Sequence, residues 1–133
     1  MNFIGNYSFS KVDITQSNDG DVGKRPIHTP KQVASAWINF VVPNGELQGL
    51  GFGLGIRHVG ASFNDAPNTW KNPPVNLFDG AISYNAAAWR LALNVTNLAN
   101  KEYVAACFPS VGGGRECLFG QKRAAVLTAK LRF

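Results

Sequence analysis

Charge is what this sequence has least of. Charged side chains make up 16% of its 133 residues, against about 25% in ordinary soluble domains, so something other than water is expected to cover part of the surface. Long apolar runs are missing as well. No window approaches the ~20 uninterrupted apolar residues of a membrane-spanning helix, and the start, Met1-Asn2-Phe3-Ile4-Gly5-Asn6, lacks the basic stretch and apolar core of an export signal. If the protein reaches a membrane it does so as strands, with its export signal outside this sequence. The 13 Lys and Arg against 8 Asp and Glu give a net charge of +5. No basic run concentrates them, which argues against a nucleic-acid partner. Cysteine and histidine number two each, too few and too scattered for a zinc site, so no metal is expected. No serine, histidine or carboxylate falls into a nucleophile-elbow, metal-ligand or paired-carboxylate pattern. Gly51-Phe52-Gly53-Leu54-Gly55-Ile56 does not lead into a helix as a dinucleotide loop must. Neither catalytic residues nor a cofactor are therefore assigned.

What is plentiful points to β structure. Fourteen glycines, nine phenylalanines, three tryptophans and three tyrosines suit short strands and tight turns, and the length suits one domain over 1–133. In Leu50 to Val59 large apolar side chains hold the even positions up to Ile56 and Gly or Arg the odd ones up to Arg57, which is strand periodicity. Ala34, Ala36, Ile38, Phe40 and Val42 share a face in Val33 to Val42, with Ser35, Trp37 and Asn39 opposite. Phe78, Ile82 and Tyr84 oppose Asp79, Ala81 and Ser83 in Val75 to Tyr84. After the short turn at Asn85 to Ala88, Trp89, Leu91, Leu93 and Val95 alternate with Arg90, Ala92, Asn94 and Thr96, completing a hairpin. A weaker strand over roughly Phe3 to Thr15 opens the chain. The last, from Ala125, puts Leu127, Ala129, Leu131 and Phe133 on one face. The expected fold is all-β, an antiparallel up-and-down meander of about six strands.

The connections alternate in length. Gln16 to Pro30, Ala61 to Pro74 and Asn100 to Gly120 are long; Pro43 to Glu46 and Asn85 to Ala88 are short. A membrane barrel has this pattern, with short periplasmic turns, long outer loops, an apolar face toward lipid and aromatic girdles where Trp89 and Phe133 would sit. The rival reading is a small secreted or periplasmic β-sandwich that binds a ligand. A sandwich must bury its apolar face within the chain, and a barrel wall leaves it outward.

The run Asn94-Val95-Thr96-Asn97-Leu98-Ala99-Asn100-Lys101-Glu102-Tyr103-Val104, with Cys107, Cys117, Gly120, Arg123 and the ending Leu131-Arg132-Phe133, resembles the closing strands of TonB-dependent siderophore receptors. His28-Thr29-Pro30, Ala34-Ser35-Ala36-Trp37 and Leu50 to Gly60 are similar to the strands before them, in the style of the ferrichrome and hydroxamate receptors. The resemblance implies a partial transmembrane β-barrel, the C-terminal part of an outer-membrane receptor for ferric siderophore uptake. The complete barrel would have about 22 strands. The plug domain that contacts TonB and the earlier strands would lie outside this sequence, the expectation being a truncated gene, a pseudogene-like fragment or a fragmentary gene model in which Met1 is an internal codon. It further implies outer-membrane lipid, the plug and the barrel-assembly machinery as partners, TonB only through the plug, and a ferric siderophore as transported ligand. The family's cysteines lie closer together than here, where Pro109 to Glu116 intervene, so this loop is expected to be remodelled.

Cys107 and Cys117 flank a Gly-rich turn, and a local disulfide is the reading in an oxidising compartment; free thiols or a redox pair are the alternatives. Phe108, Phe119, Trp70 and His58 are the candidate ligand contacts, being aromatic or imidazole side chains in or beside long loops, with ordinary loop packing as the alternative. Phe133 and Leu131, in the apolar row of the last strand, resemble the family's assembly signal. Arg57, Arg90, Arg123, Lys130 and Asp79 are expected on the mixed face, pairing with one another or with the plug.

Overall fold

The computed structural model describes residues 1–110 and 112–131. Ten strands form: β1 (Asn2–Phe9), β2 (Gln32–Val41), β3 (Leu50–Val59), β4 (Ser62–Phe63), β5 (Lys71–Asn72), β6 (Val75–Asn85), β7 (Trp89–Thr96), β8 (Val104–Pro109), β9 (Arg115–Phe119) and β10 (Ala124–Leu131). Six of them make one antiparallel sheet in the order β1-β2-β3-β6-β7-β10, and the pairs β4-β5 and β8-β9 are separate small hairpins. The first strand stops at Phe9 instead of Thr15. Its alternation fails beyond that point, and Ser10 N–H turns to Lys31 O (2.9 Å), closing the base of the loop. Phe133, expected at the end of the last strand, lies outside the described residues.

Strand register aligns the apolar residues into rows across the sheet. Phe40, Phe52, Ile82, Leu93 and Leu127 are successive cross-strand partners, and so are Phe3, Ile38, Leu54, Gly80, Val95 and Ala125. Side chains alternate faces along a strand, so one register fixes every row at once. Where Gly80 leaves a gap in its row, the Leu98 side chain from beyond β7 fills it, and Leu98 N–H donates to Phe78 O (2.7 Å). Tyr84 and Trp89 pack at the short-turn end, ring centroids 5.4 Å apart.

Nothing among the described residues covers this face. Leu54 is 62% and Leu127 65% exposed, and no second sheet lies across them, which overturns the sandwich alternative. The opposite face is built of small and polar residues: Gly51, Gly53, Gly55, Ala81, Ser83, Ala92, Asn94 and Thr128 line its middle. Ile4, Leu77 and Val126 also lie on this face, and Trp37 is its largest side chain. A Cβ at Gly53 or Gly55 would overlap its indole, so the two glycines make the flat bed on which that ring lies.

The core is small and displaced from the sheet centre. Val75, Leu77 and Cys107 are its buried apolar residues, and Ser62, Asn64, Asn72 and Asn97 its buried polar ones. It lies where one end of β6 meets the long loops.

Candidate functional site

The three long connections gather at one end of the sheet and lock together. The middle connection turns back at Asn64 to Trp70 because Asp65 caps the turn: its carboxylate accepts from Trp70 N–H (2.7 Å), Thr69 N–H (3.1 Å) and the Thr69 hydroxyl. Desolvation pushes the Asp65 carboxyl upward, but these three donors outweigh it and hold it below the usual carboxylate range. The turn presents Asn68 in a left-handed conformation, φ 62°, which asparagine tolerates. Asn68 then clamps the first long loop, accepting from Arg25 N–H (2.8 Å) and donating to Arg25 O (2.9 Å). Beside this clamp the Arg25 guanidinium lies 5.3 Å from the Phe63 ring centroid.

The third connection is anchored at its root by Asn97, 2% exposed and left-handed at φ 51°. Its amide donates to Lys101 O (2.9 Å) and Gln121 O (3.0 Å) and accepts from Lys101 N–H (2.9 Å). Its own N–H donates to Asp79 Oδ1 (2.9 Å). Asp79 also receives Arg57 through two bonds of 2.5 and 2.8 Å, so the loop root and the sheet share one polar node. Tyr103 then lies over Gly120, where any side chain would overlap the ring, and β8-β9 follows. Cys107 and Cys117 stand opposite each other in that hairpin and are disulfide-bonded.

Asparagines tie this hairpin to the second loop. Cys107 N–H donates to Asn64 Oδ1 (3.0 Å), and Asn72 Nδ2 donates to Val104 O (3.3 Å) and Ala105 O (3.2 Å). Asn64 is 2% exposed, and its Nδ2 finds no acceptor among the described residues. Buried amides cost free energy unless bonded, so the bonds made here weigh more than surface ones.

Of the sequence-predicted contacts, the cap gives Trp70 a guanidinium partner and Phe108 an imidazole one. Arg115 lies 4.5 Å from the Trp70 centroid, and Phe108 meets the His28 ring at 4.8 Å. Phe119 stands apart at 72% exposed, beside a cleft of about 270 Å³ with Glu102, Gly120 and Lys122. Glu102 and Lys122 bridge there at 2.7 Å, the lysine drawing the Glu102 carboxyl below its usual range. Both are exposed, so the pair contributes little stability. His58 is elsewhere: it continues the apolar face of β3, and its Nδ1–H donates to Asn76 Oδ1 (2.6 Å). Leu131 ends the apolar row of β10 opposite Trp89.

Arg57, Asp79, Arg90 and Lys130 lie on the small-residue face, Arg90 and Lys130 as direct cross-strand partners. Arg123 does not: it precedes β10 in the loop, its N–H bonded to Asn100 Oδ1 (3.0 Å), because the strand begins only at Ala124. His28, Asn64, Asn72 and Asn97 are what the sequence reading missed. For His28 the sequence carries only the family resemblance, in His28-Thr29-Pro30, and a place between Pro26 and Pro30, neither of which gives it a role. No cluster of His, Cys, Asp and Glu among the described residues could hold a metal. The cap offers aromatic faces, guanidinium groups and bonded amides, which suit binding.

Comparison with known proteins agrees with this architecture. Residues 1–98 match the family model described as "TonB dependent receptor-like, beta-barrel". The ferrichrome outer membrane transporter/phage receptor of Escherichia coli K12 is 33% identical over 138 residues, covering 100% of this chain and 18% of that protein. The ferrioxamine B receptor of Salmonella typhimurium SL1344 is 35% identical over 125 residues, 90% of this chain and 17% of the receptor. The chain therefore spans less than a fifth of the length of either relative. Among solved structures, the ferric-catecholate import receptor Fiu of E. coli K12 superposes with a TM-score of 0.75 at 25% identity, over 98% of this chain and 18% of Fiu. The siderophore receptor PiuA of Acinetobacter baumannii shares the fold at TM-score 0.75 and 24% identity, over 96% of this chain and 19% of PiuA.

Proposed function

Because the chain belongs to the TonB-dependent receptor-like β-barrel family, we propose that it forms wall and outer loops of an outer-membrane receptor that takes up a ferric siderophore. One observation carries this reading: apolar rows run across the six-stranded sheet, the gap at Gly80 filled by Leu98, while every long loop gathers at one end of the sheet. Such a face belongs against hydrocarbon, since lipid-facing and lumen-facing residues alternate along barrel strands. The small-residue face then lines the lumen, the short turns lie in the periplasm and the looped cap faces outward. Tyr84 and Trp89 sit at the periplasmic interface, where amphipathic rings are favoured.

In this reading the cap binds the chelate and a plug domain, moved by TonB, lets it pass. No bond in the ligand is made or broken, so no residue acts catalytically and no cofactor is needed. Phe108 and Trp70 line the mouth and Phe119 lies at its margin, whereas His58, on the lipid-facing side of β3, belongs to the interfacial belt. Arg90 and Lys130, like charges directly opposite each other, are destabilising alone and take carboxylates of the plug. Phe133 and Leu131 are read by the barrel-assembly machinery. The two relatives named above point to ferrichrome and ferrioxamine B as first ligands to try.

The test is uptake of radioactive iron as ferrichrome or ferrioxamine B by cells whose receptor carries this sequence. Accumulation is expected with TonB and none without it. Accumulation indifferent to TonB, or failure to bind either chelate, overturns the reading.

A further inference from the structure

We infer that His28 is a positioning residue for ligand recognition: it fixes the direction in which Phe108 presents its ring at the mouth. This rests on the cap being the ligand site, as proposed above. His28 stands in the left-handed region at φ 56°, uncommon for a residue with a β-carbon although histidine is among those that tolerate it. Such a conformation persists only where the surroundings over-determine it. Here Pro26 and Pro30 stiffen the chain on either side, and His28 N–H donates to Phe63 O (2.8 Å).

The far end of the side chain is held as firmly as the backbone. Nε2 lies 3.0 Å from Cys107 O; a carbonyl can only accept, so the proton is on Nε2 and the ring plane is set. That carbonyl belongs to a disulfide-bonded residue 3% exposed, so it is itself fixed. The imidazole then meets the next side chain, Phe108, edge-on at 4.8 Å with 67° between planes, the geometry aromatic pairs prefer. Phe108 remains 41% exposed. It is thus an open ring with a fixed backbone and a braced side chain. Phe119, 72% exposed, has no ring contact of this kind among the described residues. Bracing a ring before the ligand arrives removes part of the ordering cost that binding otherwise carries.

The experiment measures ferrichrome binding to the membrane-embedded receptor carrying this sequence, in His28→Ala, His28→Gln, Phe108→Ala and the His28→Ala/Phe108→Ala double variant. His28→Ala is expected to weaken binding about tenfold, the upper end of what ordering one side chain costs. His28→Gln, which keeps a donor of similar reach, recovers most of that loss. The double variant binds no worse than Phe108→Ala alone, because His28 acts through that ring; a merely structural histidine gives additive losses instead. Additive losses overturn the inference, as does a His28→Ala that binds like the parent. Closure of the Cys107–Cys117 disulfide in each variant checks that the hairpin has formed. Should the parent receptor bind neither ferrichrome nor ferrioxamine B, the proposed function fails on its own. Fluorine NMR of a fluorophenylalanine at position 108 still decides the positioning: its resonance shifts or broadens in His28→Ala, and an unchanged resonance overturns it.

Discussion

The sheet and the cap are made from the same chain by opposite rules. In the sheet, ladder hydrogen bonds satisfy the backbone and large apolar side chains such as Leu54 and Leu127 stay exposed; side chains repeat, and one row resembles the next. In the cap three of the buried side chains are amides, and each has an individual partner: Asn64 with Cys107, Asn72 with Val104 and Ala105, Asn97 with Lys101 and Gln121. A surface meant for hydrocarbon tolerates apolar exchange and punishes charge. A surface meant for water does the reverse, tolerating charge outside and punishing the loss of one interior amide or cross-link.

The strongest way to break this contrast is to place the same charge in both regions. Leu54→Arg, mid-strand on the apolar face, is expected to cost about 2–4 kcal/mol in a lipid bilayer. Val22→Arg, on the exposed first loop, stays within about 0.5 kcal/mol. Denaturant titration of the receptor refolded into liposomes measures both, and equal costs would mean that the apolar face does not meet lipid. A smaller effect, confined to the cap, follows from Cys107→Ser with Cys117→Ser. Opening a cross-link of sequence separation 10 removes about 2–3 kcal/mol on the loop-entropy model. Amide exchange should accelerate over β8, β9 and Phe63 and remain unchanged in β3 and β6; acceleration throughout would show that the two regions are one cooperative unit.

The smallest effect is a pH dependence of the Asp65 turn. Its carboxyl is held below the ordinary value in the fold. It therefore lends stability above the unfolded value and loses it as pH falls through the folded one. Protection of the Trp70 amide should be flat above about pH 4 and decline in more acid solution. Asp65→Asn should lack that decline, and a decline that persists in Asp65→Asn assigns it to another group.

The sheet was almost wholly legible in the sequence and the cap almost not at all, for a physical reason. Period-2 alternation over eight to eleven residues is a local property, so β2, β3, β6 and β7 and their faces could be read directly. The hairpin β4-β5 has only two residues per strand, too few to show a period, and a register shift between Val104 and Ala106 breaks the pattern in β8-β9. The buried asparagines read as turn residues, since the acceptor and donor partners that bury Asn64 and Asn72 lie 43 and about 32 residues away. The disulfide and the aromatics Trp70 and Phe108 were visible by type. Their partners Arg115 and His28 were not, being set by how loops meet.

Trp37 lies across Gly53 and Gly55 with no room for a β-carbon at either, and this makes three positions on two strands a single steric unit. A mutation at either glycine is blocked while the indole stands. Loss of the indole uncovers backbone that the glycines alone cannot shield. A side chain at position 53 or 55 is therefore accommodated only where a smaller residue replaces the indole, so the effects of exchanges at these three positions are not additive.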